Sequence, residues 1–270
     1  MVGSVVAAVV AVAAADGDQL TMDNDNGQWT IENGELRLFG RWKECLIGGK
    51  NFILFEMKKF IVFFALCVFL CAGYSVFGQQ EIALPAPGMT GGKPLMEALK
   101  DRKTGRSFSA KPLEMQMISD LLWAANGINR PESGKRTAPS AVNYQETDLY
   151  VCLPAGIYLY DAEKNVLKLM VSGDLRAKMG KQDFVAEAPL VLVYVADFAR
   201  MGKSSDKDKE IYAGIDVGFI SQNVYLYCAS AELSTVVLGY IDKDEMAKVL
   251  KLSETQKVIL SQPVGWPGDN

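Results

Sequence analysis

Three stretches carry the residue types that could do chemistry. The first is Asp101–Phe108, DRKTGRSF, which sets Arg102, Lys103 and Arg106 around Thr104 and Gly105. Guanidinium groups offer paired planar donors and threonine adds a neutral hydroxyl, so a turn of this composition can wrap a phosphate. Such a run alone also has the composition of a solvated surface, and its meaning depends on what lies downstream. The second run, Ile128–Gln145, reads INRPESGKRTAPSAVNYQ and carries Arg130, Lys135 and Arg136, with Ser140, Asn143 and Gln145 close together. Cations suit phosphate, and side-chain amides suit the edge of a polar planar ring. The third is Asp216–Asn223, DVGFISQN, where Asp216 and Asn223 fall two turns apart on one face of a predicted helix.

Other chemistry is excluded by composition. The chain of 270 residues has no histidine, which removes histidine-based triads and histidine-liganded metal sites. Its five cysteines, Cys45, Cys67, Cys71, Cys152 and Cys228, form no C-x-x-C pair. Cys152 and Cys228 sit in apolar runs and read as buried, inert thiols. A net charge of −4 and a pI near 5.1 give no basic field for nucleic acid. Gly88–Lys93, GMTGGK, only imitates a phosphate loop, because its glycine spacing is one short and Pro94 stands where a magnesium-binding hydroxyl belongs. No metal site is expected, and the chemistry falls to a bound cofactor.

The elements that must position these runs are legible in outline. Glu81–Pro94 is an extended lead-in, and Leu95–Lys100 a short helix that delivers the chain to Arg102. Glu114–Ala125 is a second helix with Met115, Ile118, Leu121 and Leu122 on its apolar face, ended by Gly127. Residues 128–145 form a long loop, which in a compact domain is functional or disordered. Asp148–Leu153, Ile157–Tyr160 and Val166–Val171 predict a three-stranded meander, followed by a helical or irregular connection over Leu175–Phe184. Leu190–Ala196 is apolar throughout, as in a strand buried on both faces, and Lys203–Glu210 is a charged, solvated loop. Ile211–Leu233 is the longest helical pattern and is apolar almost all round, so it belongs in a core or at an oligomer interface. Thr235–Tyr240 predicts a strand, Lys243–Leu250 a helix and Lys257–Pro263 a last strand. Five or six strands with interleaved helices make one α+β or α/β layered domain.

The first third is of another kind. Met57-Lys58-Lys59 precedes the apolar run Phe60–Phe77, which gives way to Gly78-Gln79-Gln80. This is the pattern of a secretory signal peptide over residues 57–78, with a membrane-anchoring span over 60–77 as the alternative. Export, with a periplasmic mature chain from Gln79, is the expectation; the membrane enters only at export. Residues 1–56 are read as an over-long start or a disordered segment, or Met1–Ala15 as a weak signal of its own.

Over Leu95–Pro267 the chain resembles the nitroreductase family of FMN-dependent oxidoreductases. The resemblance rests on RKTGR at Arg102–Arg106, RTAPSAVNYQ at Arg136–Gln145, DVGFISQN at Asp216–Asn223 and VVLGY at Val236–Tyr240. It implies an α+β fold, with a central, mostly antiparallel sheet flanked by helices and a homodimer holding FMN at the subunit interface. It implies that Arg102, Thr104 and Arg106 hold the FMN phosphate and ribityl chain. Pro139, Ser140, Ala141 and Asn143 line the flavin from the partner subunit, with Gln145 in a structural role. Val237, Leu238 and Gly239 bring backbone N–H groups near the ring. Arg136 is added as a further phosphate cation on its charge alone. The implied activity is two-step hydride transfer through the flavin, from NAD(P)H or another donor to a nitroaromatic, a quinone or a similar small acceptor. The alternatives are a flavin dehydrogenase of a modified-peptide substrate, as in azoline-oxidising relatives, and an exported, non-catalytic FMN-binding module. Two departures stand out. The terminal WPGDN lacks the basic residue that often grips the phosphate, and an exported chain would not meet nicotinamide donors.

Overall fold

The computed structural model describes residues 20–23, 28–31 and 80–268. The signal-like segment 57–78, most of residues 1–56 and the terminal Asp269 and Asn270 lie outside the described residues. The chain divides into two units, Met1–Val76 and Phe77–Asn270. In the first, β1 (Leu20–Asp23) pairs antiparallel with β2 (Gln28–Ile31), Leu20 opposite Ile31. Four-residue strands are too short to leave a period in the sequence.

The second unit is built on one sheet. Its strands are β3 (Glu81–Ala83), β6 (Thr147–Leu153), β7 (Gly156–Asp161), β8 (Val166–Ser172), β9 (Leu190–Asp197), β10 (Ser234–Thr235) and β11 (Gln256–Gly265). They lie in the order β10–β11–β9–β6–β7–β8–β3, and every pairing is antiparallel. The predicted meander is therefore present, and the lead-in contributes an edge strand to it. Strand β9 decides the layering. Leu190, Leu192 and Tyr194 face one core, Val191, Val193 and Val195 the other, and all six are fully buried. That alternation is what an apolar strand covered on both faces requires.

Four helices cover the sheet: α1 (Leu95–Asp101), α2 (Met115–Asn126), α3 (Asp206–Ser230) and α4 (Lys243–Leu250). Ile118, Leu121, Leu122 and Ala125 of α2 join Val217, Ile220, Val224 and Cys228 of α3 in the first core. Met246 and Leu250 of α4 enter the second. Met115, expected on the apolar face of α2, is instead exposed at its first turn. Gly127 ends α2 because a side chain there would lie within 2.6 Å of Trp123. Helix α3 starts earlier than its hydrophobic pattern, inside the stretch read as a charged loop. Ser205 Oγ accepts from the Asp208 N–H at 3.2 Å, and Asp206 and Asp208 meet the positive helix end. Its other apolar face, Ile211, Ile215 and Phe219, is exposed.

Two further differences bear on the site. The loop 128–145 contains a hairpin of β4 (Ile128–Arg130) and β5 (Lys135–Arg136), then a single 3-10 turn at Ala141–Asn143. The strand expected over Thr235–Tyr240 shrinks to Ser234–Thr235 and one isolated bridge between Leu238 and Ser261. Tyr225 Oη takes the Val237 N–H between them, so the ladder breaks there. A buried relay anchors this corner: Tyr194 donates to Gln262, which donates to Thr235 Oγ1 at 3.1 Å, which donates to the Pro263 carbonyl at 2.9 Å.

Candidate functional site

The turn after α1 is fixed from two sides. Arg102 closes the helix by donating its N–H to the Ala98 carbonyl at 2.9 Å, and the chain then extends. Its guanidinium lies 5.2 Å from the centroid of the Tyr225 ring on α3. Tyr225 Oη is 3.3 Å from Thr104 Oγ1 and accepts the Val237 N–H at 3.0 Å. One tyrosine thus ties Arg102, Thr104 and Val237 together. Gly105 donates its N–H to the Thr235 carbonyl at 3.0 Å. It passes so close to Ser234 Oγ that a Cβ would collide with it, which explains the glycine.

Beside this turn lies a cavity of about 740 Å³, lined by Lys103, Thr104, Gly105 and Arg106 on one side and by Ser234 and Pro267 on another. That size is ordinary for a cofactor pocket. Lys93 and Asp101 also reach its wall but engage each other at 2.9 Å, a hydrogen bond that raises the lysine pKa and lowers the aspartate's. Among the described residues neither Arg102 nor Arg106 has an ion-pair partner. The Arg106 guanidinium, a hydroxyl and a close-packed glycine on the cavity wall, with Arg102 held beside them against Tyr225, fit the phosphate end of a nucleotide-like cofactor.

The second run forms a separate cluster. Ala138, Pro139, Ser140 and Gln145 line a small cleft with Arg136 and Asp216. Arg136 spends its guanidinium on Gln145 Oε1 and on the Asn126 carbonyl, both at 2.8 Å, and burial lowers its pKa. It therefore braces the loop within its own chain. Ser140 Oγ accepts the Gln145 N–H at 3.0 Å, and Asn143 Oδ1 accepts from Gln145 Nε2 at 3.3 Å. Ala141 donates its N–H to Asp216 Oδ2 at 2.8 Å. Val142, Asn143 and Gln145 all have positive φ, of 51°, 58° and 47°. For β-branched Val142 that is a strained conformation, held by the surrounding bonds. Asp216 and Tyr225, the anchors of the two clusters, are about 14 Å apart along α3 at 1.5 Å per residue. One chain does not bring them onto a common ligand atom.

The third group is mixed. The Val237 N–H is engaged by Tyr225, and the Leu238 N–H by the Ser261 carbonyl at 2.8 Å, with the Leu238 side chain buried. Gly239 is exposed. Two residues escaped sequence reasoning. Tyr225 sits in a helix whose all-round apolarity makes any ring look like core. Glu146 follows the loop as an ordinary charge in the sequence, yet is fully buried.

A seven-stranded antiparallel sheet with helices on both faces and a cationic turn opening on a cofactor-sized cavity defines an α+β protein with an anion-receptive cleft. Residues 99–266 match the model of the Nitroreductase family. The chain belongs to that family and is accordingly an oxidoreductase. It is 32% identical over 181 residues to a nitroreductase-like protein of Methanocaldococcus jannaschii, covering 63% of this chain and 90% of that one. The crystal structure of a nitroreductase-like protein from Ralstonia eutropha JMP134 is 43% identical, with a TM-score of 0.68 over 72% of this chain and 92% of that one. A chain of the Escherichia coli microcin synthetase McbBCD complex reaches a TM-score of 0.55 over 73% of this chain and 82% of that one. At 19% identity this is a likeness of fold alone.

Proposed function

We propose that the chain is an FMN-dependent oxidoreductase that passes hydride to a small acceptor such as a nitroaromatic or a quinone. The observation that carries the reading is the cavity at Thr104 and Arg106, with Arg102 held beside them by Tyr225. Arg102 and Arg106 would hold the phosphate, Thr104 would add a neutral donor, and Gly105 keeps the backbone close to Ser234. Bound FMN supplies the two-electron chemistry, so the protein needs no acid–base pair of its own. Pro139, Ser140, Ala141 and Asn143 would reach the flavin of a second copy. Their distance from the Arg102–Arg106 turn within one chain supports a homodimer, and the exposed Ile211, Ile215 and Phe219 offer α3 an apolar face to bury.

The test is spectroscopic. Protein spanning Gln79–Asn270 should acquire an FMN absorption spectrum, bleach anaerobically with a donor such as NADPH, and recover its colour with a quinone or nitro compound. Failure to bind added FMN refutes the reading; binding without reduction by any donor leaves a flavin carrier. We also propose export, on the apolar run behind Met57-Lys58-Lys59. N-terminal sequencing of the mature protein should begin at about Gln79, and a start well upstream would refute it.

A further inference from the structure

The strained turn Ala141–Gln145 stands on two buried carboxyl groups. Asp216 on α3 is 2% exposed and accepts the Ala141 N–H, and Glu146, at the end of the same loop, is fully buried. The two side chains line the same small cleft, each the other's electrostatic partner. Glu146 Oε1 accepts from Thr147 Oγ1 at 3.3 Å, whereas its Oε2 has no hydrogen-bond partner among the described residues. As two carboxylates the pair would set like charges together out of water with nothing to neutralise them. The nearby cations are committed elsewhere. Arg136 on β5 holds Gln145 Oε1 and the Asn126 carbonyl. Arg200 holds the backbone carbonyls of Gln145 and Glu146, at 2.9 and 2.7 Å, and the Asp148 carboxylate at 2.7 Å.

We propose that Glu146 carries a proton at neutral pH and donates it to the Asp216 carboxylate, and that this acid–carboxylate pair is the positioning element for the Ala141–Gln145 turn at the flavin. One proton gives Oε2 a partner, leaves a single buried charge and keeps Asp216 an anionic acceptor, the stronger kind, for the Ala141 N–H. That bond ties the entry of the turn, in which Val142, Asn143 and Gln145 are all left-handed, to helix α3. Burial raises both carboxyls above the usual range, which agrees with the geometry. The sign follows. The native pair binds a proton that the unfolded chain has released, so its contribution is present at low pH and lost as pH rises through the raised value.

The assignment rests on the FMN reading for its ligand but not for its proton. The chain has no histidine and both Cys152 and Cys228 thiols are buried and pushed far up, so neither residue type competes with the pair between about pH 6 and 9. Thermal melts of the flavin-free protein and FMN titrations should be run across that window. The wild type should lose stability with rising pH, and its FMN Kd should weaken by up to about tenfold per pH unit as the proton leaves. Glu146→Gln, whose amide can donate to Asp216 at every pH, should flatten both curves and keep the low-pH affinity. Asp216→Asn should weaken FMN binding throughout. Equal melting slopes for the wild type and Glu146→Gln overturn the shared proton whether or not FMN binds. Unchanged FMN affinity in Asp216→Asn overturns the positioning role. Should Glu146→Gln not fold, infrared spectra of the wild type decide: a protonated carboxyl band persisting at pH 7 supports the pair, and its absence sinks it.

Discussion

Tyr225 shows how one side chain can hold three parts of a site together. Its ring supports Arg102 and its hydroxyl meets both Thr104 and the Val237 N–H. Tyr225→Phe keeps the ring and removes the hydroxyl, so it should cost about 1 kcal/mol of stability and loosen the turn. A Tm lowered with FMN affinity reduced is the expected pair of results; unchanged FMN binding would show that the turn holds itself. The double variant Arg102→Ala, Arg106→Ala acts on the ligand directly. Each charge-assisted contact is worth roughly 1.5–3 kcal/mol, so FMN affinity should fall by at least about a hundredfold. Fluorescence titration measures it, and an unaltered Kd refutes the phosphate assignment. Arg136 should respond differently. Because its donors are spent on Gln145 and Asn126, Arg136→Ala should lower Tm more than an exposed arginine would, by unseating the 128–145 loop.

At the scale of elements, periodicity and caps account for most of what forms. Helix α4 falls on the predicted Lys243–Leu250, with Asp242 capping it through the Glu245 N–H at 3.0 Å. Strand β9 announces itself by seven apolar residues in succession, Leu190–Ala196, because both of its faces are covered. Helix α2 packs Leu121 and Leu122 fully buried into the first core. Leu121→Ala should therefore cost about 2–5 kcal/mol, read by chemical denaturation. What was not legible is where long-range bonds override local pattern. The start of α3 hides in charged residues because a cap is a local hydrogen bond and not an apolar period. The strand expected after Thr235 dissolves because Tyr225, ten positions earlier on another element, takes its Val237 N–H.

For the whole molecule the sheet separates two cores, and α3 serves one of them with one face while leaving Ile211, Ile215 and Phe219 outside. If a second copy covers that face, Ile215→Asp with Phe219→Asp should turn a dimer into a monomer by sedimentation velocity and cost FMN affinity, since half of the proposed site would leave with the partner. A wild-type monomer that binds FMN fully would refute the shared site. The sequence by itself determined the composition of the chemistry: no histidine, no C-x-x-C pair, a cationic turn, an apolar strand over Leu190–Ala196 and the four runs that resemble the nitroreductase family. These follow from residue identity and local period, which need no partner across space. Only the tertiary structure decided that Arg136 braces its own loop while Arg102 and Arg106 have no ion-pair partner among the described residues, and that Tyr225 joins three motifs. It alone buried Glu146 against Asp216. Charge is written in the sequence, but burial and the partner that answers it are set by which elements the fold brings together.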